Sequence, residues 1–245
     1  MKRNFTLIEL VIVVAVIALL AAMVQPVLSQ VRPAAEAAGC ADNLRQLGTY
    51  MSMYAESNGD CFPAFQGNIR GNDQGKWQDM LFRLYNPAKY KATRDRSWIH
   101  YDDRVERTMR PYGVFGCPAN PAKQDKKNGG HRHYGMNTYL GTDNPDWVAN
   151  RGASRQRGKV SDPARRMLML DIDRGEKASW REVGIHMRKY MTPGEEDLRE
   201  GYAFRHGENQ ANVAFVDGHV DARKWAEIPS GWNSDGGVFW SGDKQ

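Results

Sequence analysis

The chain has 245 residues, a formal net charge of +5, a sequence pI of about 9.1 and a mean hydropathy of -0.67. With its apolar start set aside, that length suits one polar domain of ordinary size with a modest core. Three cysteines without a CxxC pair argue against a zinc ribbon, and no GxSxG, HExxH, Walker A or GxGxxG word occurs.

Residues 5–24 read FTLIELVIVVAVIALLAAMV, with Glu9 as the single charge. A helix of this length spans roughly 30 Å, the thickness of a bilayer core. It lacks the polar stripe that a helix packed on a soluble domain carries. The expectation is a retained membrane helix, with a cleaved secretory signal as the alternative. Ala18, Ala21 and Ala22 approximate a small-x-small cleavage site, but the apolar run continues through Met23 and Val24. Lys2 and Arg3 precede the run, which keeps the N-terminus in the cytoplasm and the rest of the chain outside. A carboxylate at the centre of such a helix costs about 2.5–3.5 kcal/mol. Glu9 therefore either lies near enough to the surface to reach water or has a partner.

Pro26 and Pro33 are placed to bend the helix as it leaves the membrane. From 34 to 56, Cys40, Leu44, Leu47, Met51 and Tyr54 form one apolar face, which predicts an amphipathic helix docked on the chain's own domain. Asn58-Gly59 ends it. Residues 64–130 are turn-rich, with a short helix over 78–85 and a polar, basic loop over 123–132. Residues 167–172, MLMLDI, read as a buried strand. The stretch 173–199 is polar, with a helix expected near 193–199. Over 201–223 we expect a three-strand meander: 202–204, then 213–216, then a tight two-residue turn at Asp217-Gly218, then 219–222.

Candidate chemistry is sparse. His206, Asp217 and His219 invite a catalytic or metal reading. A simple meander, however, holds His206 and Asp217 roughly 15–20 Å apart at a strand rise of about 3.3 Å per residue. His131 and His133 lie in the basic loop, and Asp143-Asn144-Pro145-Asp146 is acidic enough for calcium but lacks EF-hand spacing. Cys61 and Cys117 are the disulfide pair to test first, while Cys40 falls on the helical stripe and reads as core. The basic surplus around 89–110 and 151–166 is interspersed with Asp102, Asp103 and Glu106 and reads as a solvated face.

Two resemblances follow from these words. Arg3-Asn4-Phe5-Thr6-Leu7-Ile8-Glu9-Leu10 resembles the prepilin N-terminal motif of type IV pilins and type II secretion pseudopilins. In that family a membrane peptidase cuts before the Phe, methylates the new amine and leaves a Glu at the fifth mature position. Phe5 and Glu9 match, while Asn4 stands where the family usually has Gly. The segment from Cys40 to Gly48, then Met53-Tyr54-Ala55, Asn58-Gly59-Asp60 and Phe62-Pro63, resembles a large pseudopilin-like family. Its members carry a processing-associated His-x9-Asp-Gly motif. Cys117-Pro118 and Tyr134-Gly135-Met136-Asn137 match its middle. Arg205-His206-Gly207, Ala211-Asn212-Val213, Phe215 and Asp217-Gly218-His219-Val220 match its end, although ten residues separate His206 from Asp217 here.

The resemblance implies an α+β, pilin-like fold, with a long N-terminal helix packed on a small antiparallel sheet and long loops. It implies a leader over 1–4, a membrane and polymerisation helix over 5–28, an exported half of the same helix over 29–59 and an extracytoplasmic domain over 60–245. Asn4 and Phe5 would be processed and methylated, and Glu9 would act in assembly. His206, Asn212, Phe215, Asp217, Gly218 and His219 would be structural. The expected protein is not an enzyme and has no cofactor, calcium apart. It is a single-pass subunit of the bacterial inner membrane with a periplasmic domain. Its partners would be the prepilin peptidase and other pilin-like subunits rather than nucleic acid. The alternatives are a minor type IV pilin binding DNA or surfaces, and a membrane-tethered hydrolase.

Overall fold

The computed structural model describes residues 6–64, 66–68, 74–88, 113–119, 133–142, 154–172, 184–185, 204–207, 209–229 and 237–241. Helix α1, Leu7–Ser57, runs unbroken for 51 residues, through Pro26 and Pro33. It starts on a capping box. The Thr6 hydroxyl accepts the Glu9 amide at 3.4 Å, and the Glu9 carboxylate accepts the Thr6 amide at 2.9 Å. It stops at Asn58, followed by Gly59 and Asp60 with φ of +66° and +58°.

The two halves of α1 differ in surroundings. Leu7–Gln25 has a mean hydropathy of 3.1 and is 0% buried, so by length and composition it can cross a bilayer as an anchor or a signal sequence. Further along, Cys40, Leu44, Leu47, Met51 and Ala55 are each fully buried. The spacing of three and four puts these side chains on one face of the helix, and that face lies on a sheet.

The sheet has five strands in the order β5-β3-β4-β6-β7. These are β3 Tyr134–Asn137, β4 Met167–Asp171, β5 Gly184–Ile185, β6 Gln210–Phe215 and β7 Val220–Lys224. All neighbours are antiparallel except the two-residue β5, which runs parallel to β3. A small hairpin, β1 Gln66–Asn68 and β2 Gln74–Lys76, leads into helix α2, Trp77–Tyr85.

Both faces of the sheet are covered. On one, Met136, Leu168, Met169 and Ala214 meet the α1 stripe together with Trp77, Leu81 and Phe82. On the other, Met167, Leu170, Val213 and Phe215 meet Ile228, Phe239 and Trp240. That is why β4 reads as a continuous apolar run, since a central strand has no solvent side. The ladder shifts between Met167 and Met169, which lets Leu168 and Met169 enter the same core layer.

The expected meander is corrected at its first strand. β6 is flanked by β4 and β7, and Phe204 lies outside any strand. β4, apolar over Met167–Leu170, takes the place beside β6 because it buries a large surface at the sheet centre. The hairpin turn is also one residue longer than expected. Ala214 faces Val220, Phe215 N donates to His219 O, and Gly218 N donates back to Phe215 O. The result is a three-residue loop ending in Gly218 at φ +96°. The helix expected near 193–199, the calcium candidate at 143–146, His131 and the basic stretch 89–110 lie outside the described residues.

Candidate functional site

Where α1 meets the sheet, four buried side chains from four separate segments converge. Cys40 comes from the helix stripe, Cys117 from the loop after a 3-10 turn at Gly113–Phe115, Asp171 from the end of β4, and His206 from the bridge that opens β6. Their ligand-type atoms all lie within 4.8 Å of one another. Cys40 Sγ donates to Asp171 Oδ1 at 3.0 Å, His206 Nε2 is 3.0 Å from Asp171 Oδ2, and Cys117 Sγ is 3.6 Å from His206 Nε2.

A shell of donors holds the four. Arg205 Nε donates to Cys117 Sγ at 3.2 Å, and its Nη2 reaches Asp171 Oδ1 at 3.1 Å. Its other bonds go to the carbonyls of Ile172 and His133. Asn212 N donates to Asp171 Oδ2 at 2.8 Å, and the Tyr134 hydroxyl lies 3.1 Å from Cys40 Sγ. His133 is buried and its Nδ1 accepts the Cys117 amide at 2.8 Å, which fixes the loop carrying that cysteine. Gly39 lets this loop approach closely, since a Cβ there would stand 3.3 Å from Pro118 Cγ, a tight contact.

The ionisation follows from these contacts. Burial pushes the Cys40 thiol up, reinforced by its hydrogen bond with Cys117 and by the Asp171 carboxylate. Cys117 is held down by the hydrogen bond from Cys40, with His206 and the Arg205 guanidinium also favouring its thiolate against the cost of burial. Burial alone would lower His206, but its hydrogen bonds to Asp171 and Cys117 and their charges raise it to about 9.

A thiolate beside an imidazolium is the pair that cysteine nucleophiles use. The arrangement here differs. A Cys–His–Asp triad needs the acid on the nitrogen opposite the thiol. Asp171 and Cys117 both address Nε2 of His206, and Nδ1 has no hydrogen-bond partner. Cys117 is also fully buried. All four groups are buried, with their ligand-type atoms drawn together.

The remaining site candidates are placed elsewhere. Asp217 and His219 lie in the exposed hairpin turn, where His219 Nδ1 is 2.6 Å from Asp217 Oδ1 and the imidazole stacks on Phe215 with ring centroids 4.3 Å apart. His206 is therefore not brought to Asp217, and the trio His206, Asp217 and His219 forms no single constellation. The Cys61–Cys117 pairing is corrected, since all three cysteines are free thiols. Cys61 follows the end of α1, bridges to Gln156 and turns its Sγ to the Gly59 carbonyl, while Cys117 lies beside Cys40. Asn212 and Phe215 lie within β6, and Asn212 Nδ2 also donates to the α1 carbonyl of Ala37 at 3.3 Å. Asn4 and Phe5 are outside the described residues.

Sequence reasoning missed Asp171, Arg205 and the cap on Glu9, and it read Cys40 as core and Cys117 as a partner of Cys61 rather than as members of one cluster. A signal existed for two of them. Thr6-Leu7-Ile8-Glu9 is a capping-box word directly before an apolar run. Asp171 is an acid inside an otherwise apolar strand, which requires a buried partner. Comparison with family models, with curated proteins and with solved structures found no match.

Proposed function

We propose that the chain is a membrane-anchored, pseudopilin-like structural subunit that assembles with other pilin-like chains through the first half of α1. One observation carries the reading. A single helix is wholly uncovered and apolar over Leu7–Gln25, then becomes the buried spine of the domain from Cys40 onward without a break. A secretory signal is cut away from the domain it exports, whereas this helix is continuous with its domain's core. The uncovered half needs lipid or the helices of neighbouring subunits around it. The prepilin-like word at its start supports the second covering, and with it a periplasmic domain beyond the inner membrane.

In this reading the peptidase cuts before Phe5. The new amine and the Glu9 carboxylate then lie one helical turn apart, and in a filament the carboxylate of one subunit meets the amine of the next. Glu9 also caps its own helix through Thr6, so it is pre-positioned at the helix start. The test is N-terminal sequencing of membrane-recovered protein together with a Glu9→Leu variant. A mature terminus at Phe5 is expected. The variant should fractionate with membranes but lose crosslinked or filamentous assemblies. An intact Met1 terminus and parental assembly by Glu9→Leu would sink the proposal.

A further inference from the structure

We propose that Cys40, Cys117, Asp171 and His206 bind one zinc ion as a closed, structural site that fastens the spine helix to the sheet. Two sulfurs, one imidazole nitrogen and one carboxylate oxygen make a donor set that suits zinc, and four protein ligands leave no open position for a substrate. The spacing fits. A tetrahedron with zinc–sulfur bonds of about 2.3 Å and zinc–nitrogen bonds of about 2.0–2.1 Å has edges of roughly 3.3–3.8 Å. Cys40 Sγ to Asp171 Oδ1 is 3.0 Å, Cys117 Sγ to His206 Nε2 is 3.6 Å, and no ligand pair exceeds 4.8 Å. The shortest edge needs to open by about half an ångström, and the widest to close by up to about 1 Å, for the four atoms to surround one ion.

The charge also balances. Two thiolates, one carboxylate and a neutral imidazole exceed the charge of the ion by one negative unit. The Arg205 guanidinium supplies the missing positive unit at the edge of the site, bonded to Cys117 Sγ and Asp171 Oδ1. Outer hydrogen bonds are in place as well. Tyr134 serves Cys40, and the Asn212 amide serves the second oxygen of Asp171. Zinc binds thiolates and a neutral imidazole, so binding releases whatever protons the two sulfurs and His206 Nε2 carry. A Cys40–Cys117 disulfide is the competing outcome. It would leave Arg205 and His206 without the sulfur ligand both address.

The full-length chain, purified in detergent without chelator, gives the test by elemental analysis and by cobalt substitution. About one zinc per chain is expected, consistent with one four-ligand site. The cobalt form should show tetrahedral d–d absorption and a thiolate-to-cobalt charge-transfer band. Cys117→Ser should lose much of that band and His206→Asn should lose metal, while Cys61→Ser keeps both. Tyr134→Phe, which removes the outer hydrogen bond to Cys40 and a longer one from Asn43 but no ligand, should weaken affinity about tenfold or more. Where a ligand variant fails to fold, the wild-type spectrum decides alone. A wild-type chain with no thiolate–cobalt band, a Cys40–Cys117 disulfide in non-reduced peptide maps, or metal content unchanged in both Cys117→Ser and His206→Asn would each overturn the site.

Discussion

Asp171 shows how much one side chain can organise. It is fully buried, and its two oxygens meet Cys40, Arg205, Asn212 and His206. Asp171→Asn keeps the shape but removes the charge opposite Arg205. Arg205 and His206 are then left with only the Cys117 sulfur between them, and breaking a buried charge network in this way typically costs about 3–5 kcal/mol, so the denaturation midpoint of the full chain should fall by that equivalent. A midpoint unchanged from the parent would mean that Arg205 finds another anion. Gly218 is a different kind of requirement. Its φ of +96° lies where side-chain-bearing residues are strained, although no neighbouring atom crowds it. Gly218→Val should destabilise by about 1–3 kcal/mol through backbone strain alone. Thermal melts check this, and equal melting temperatures would contradict the turn geometry.

At the scale of elements, α1 is one helix with two solvents. Leu47 is fully buried against the sheet, while Val14 is 57% exposed. Leu47→Ala removes core contacts and should cost about 2–5 kcal/mol of domain stability. Val14→Ala should leave the melting of the domain unchanged, because no domain side chain covers it. Parallel melts of the two variants separate the halves, and equal losses would mean that the N-terminal half packs on the domain. The sheet repeats the lesson. Val213 and Phe215 face the layer of Phe239 and Trp240, while Ala214 between them faces α1. The strand period of two thus assigns the apolar β6 residues to two separate cores.

For the whole molecule, the organising fact is a helix that belongs to two environments. An uncovered apolar segment of 19 residues is stable in water only if something covers it. The chain should remain in the membrane pellet after alkaline carbonate extraction. Val14→Lys places a charge near the middle of the segment, at a cost of about 2.5–3.5 kcal/mol on insertion scales, and should shift chain into the soluble fraction. Retention of the Lys variant at parental levels would argue that another part of the chain holds the membrane. Further along, α1 covers one face of the sheet while Phe239 and Trp240 help cover the other, so the domain closes around a two-sided sheet.

The sequence by itself determined what depends on local period and local chemistry. The α1 stripe, the end of that helix at Asn58-Gly59, the apolar β4 and the positive φ at Gly218 each follow from a few neighbouring residues. Tertiary structure alone decided the rest. Cys40 and Asp171 are 131 residues apart, and Cys117 and His206 are 89 apart, yet all four meet in one buried cluster. No spacing rule predicts such a meeting, because it depends on β4 taking the sheet centre and on α1 crossing that sheet at Cys40. The same long-range packing overrode the local expectation of a 202–204 strand and of a Cys61–Cys117 pair. The first was inferred from nearby residues and the second by setting Cys40 aside as core, whereas partner choice depends on which distant segments pack together and bury the most apolar surface.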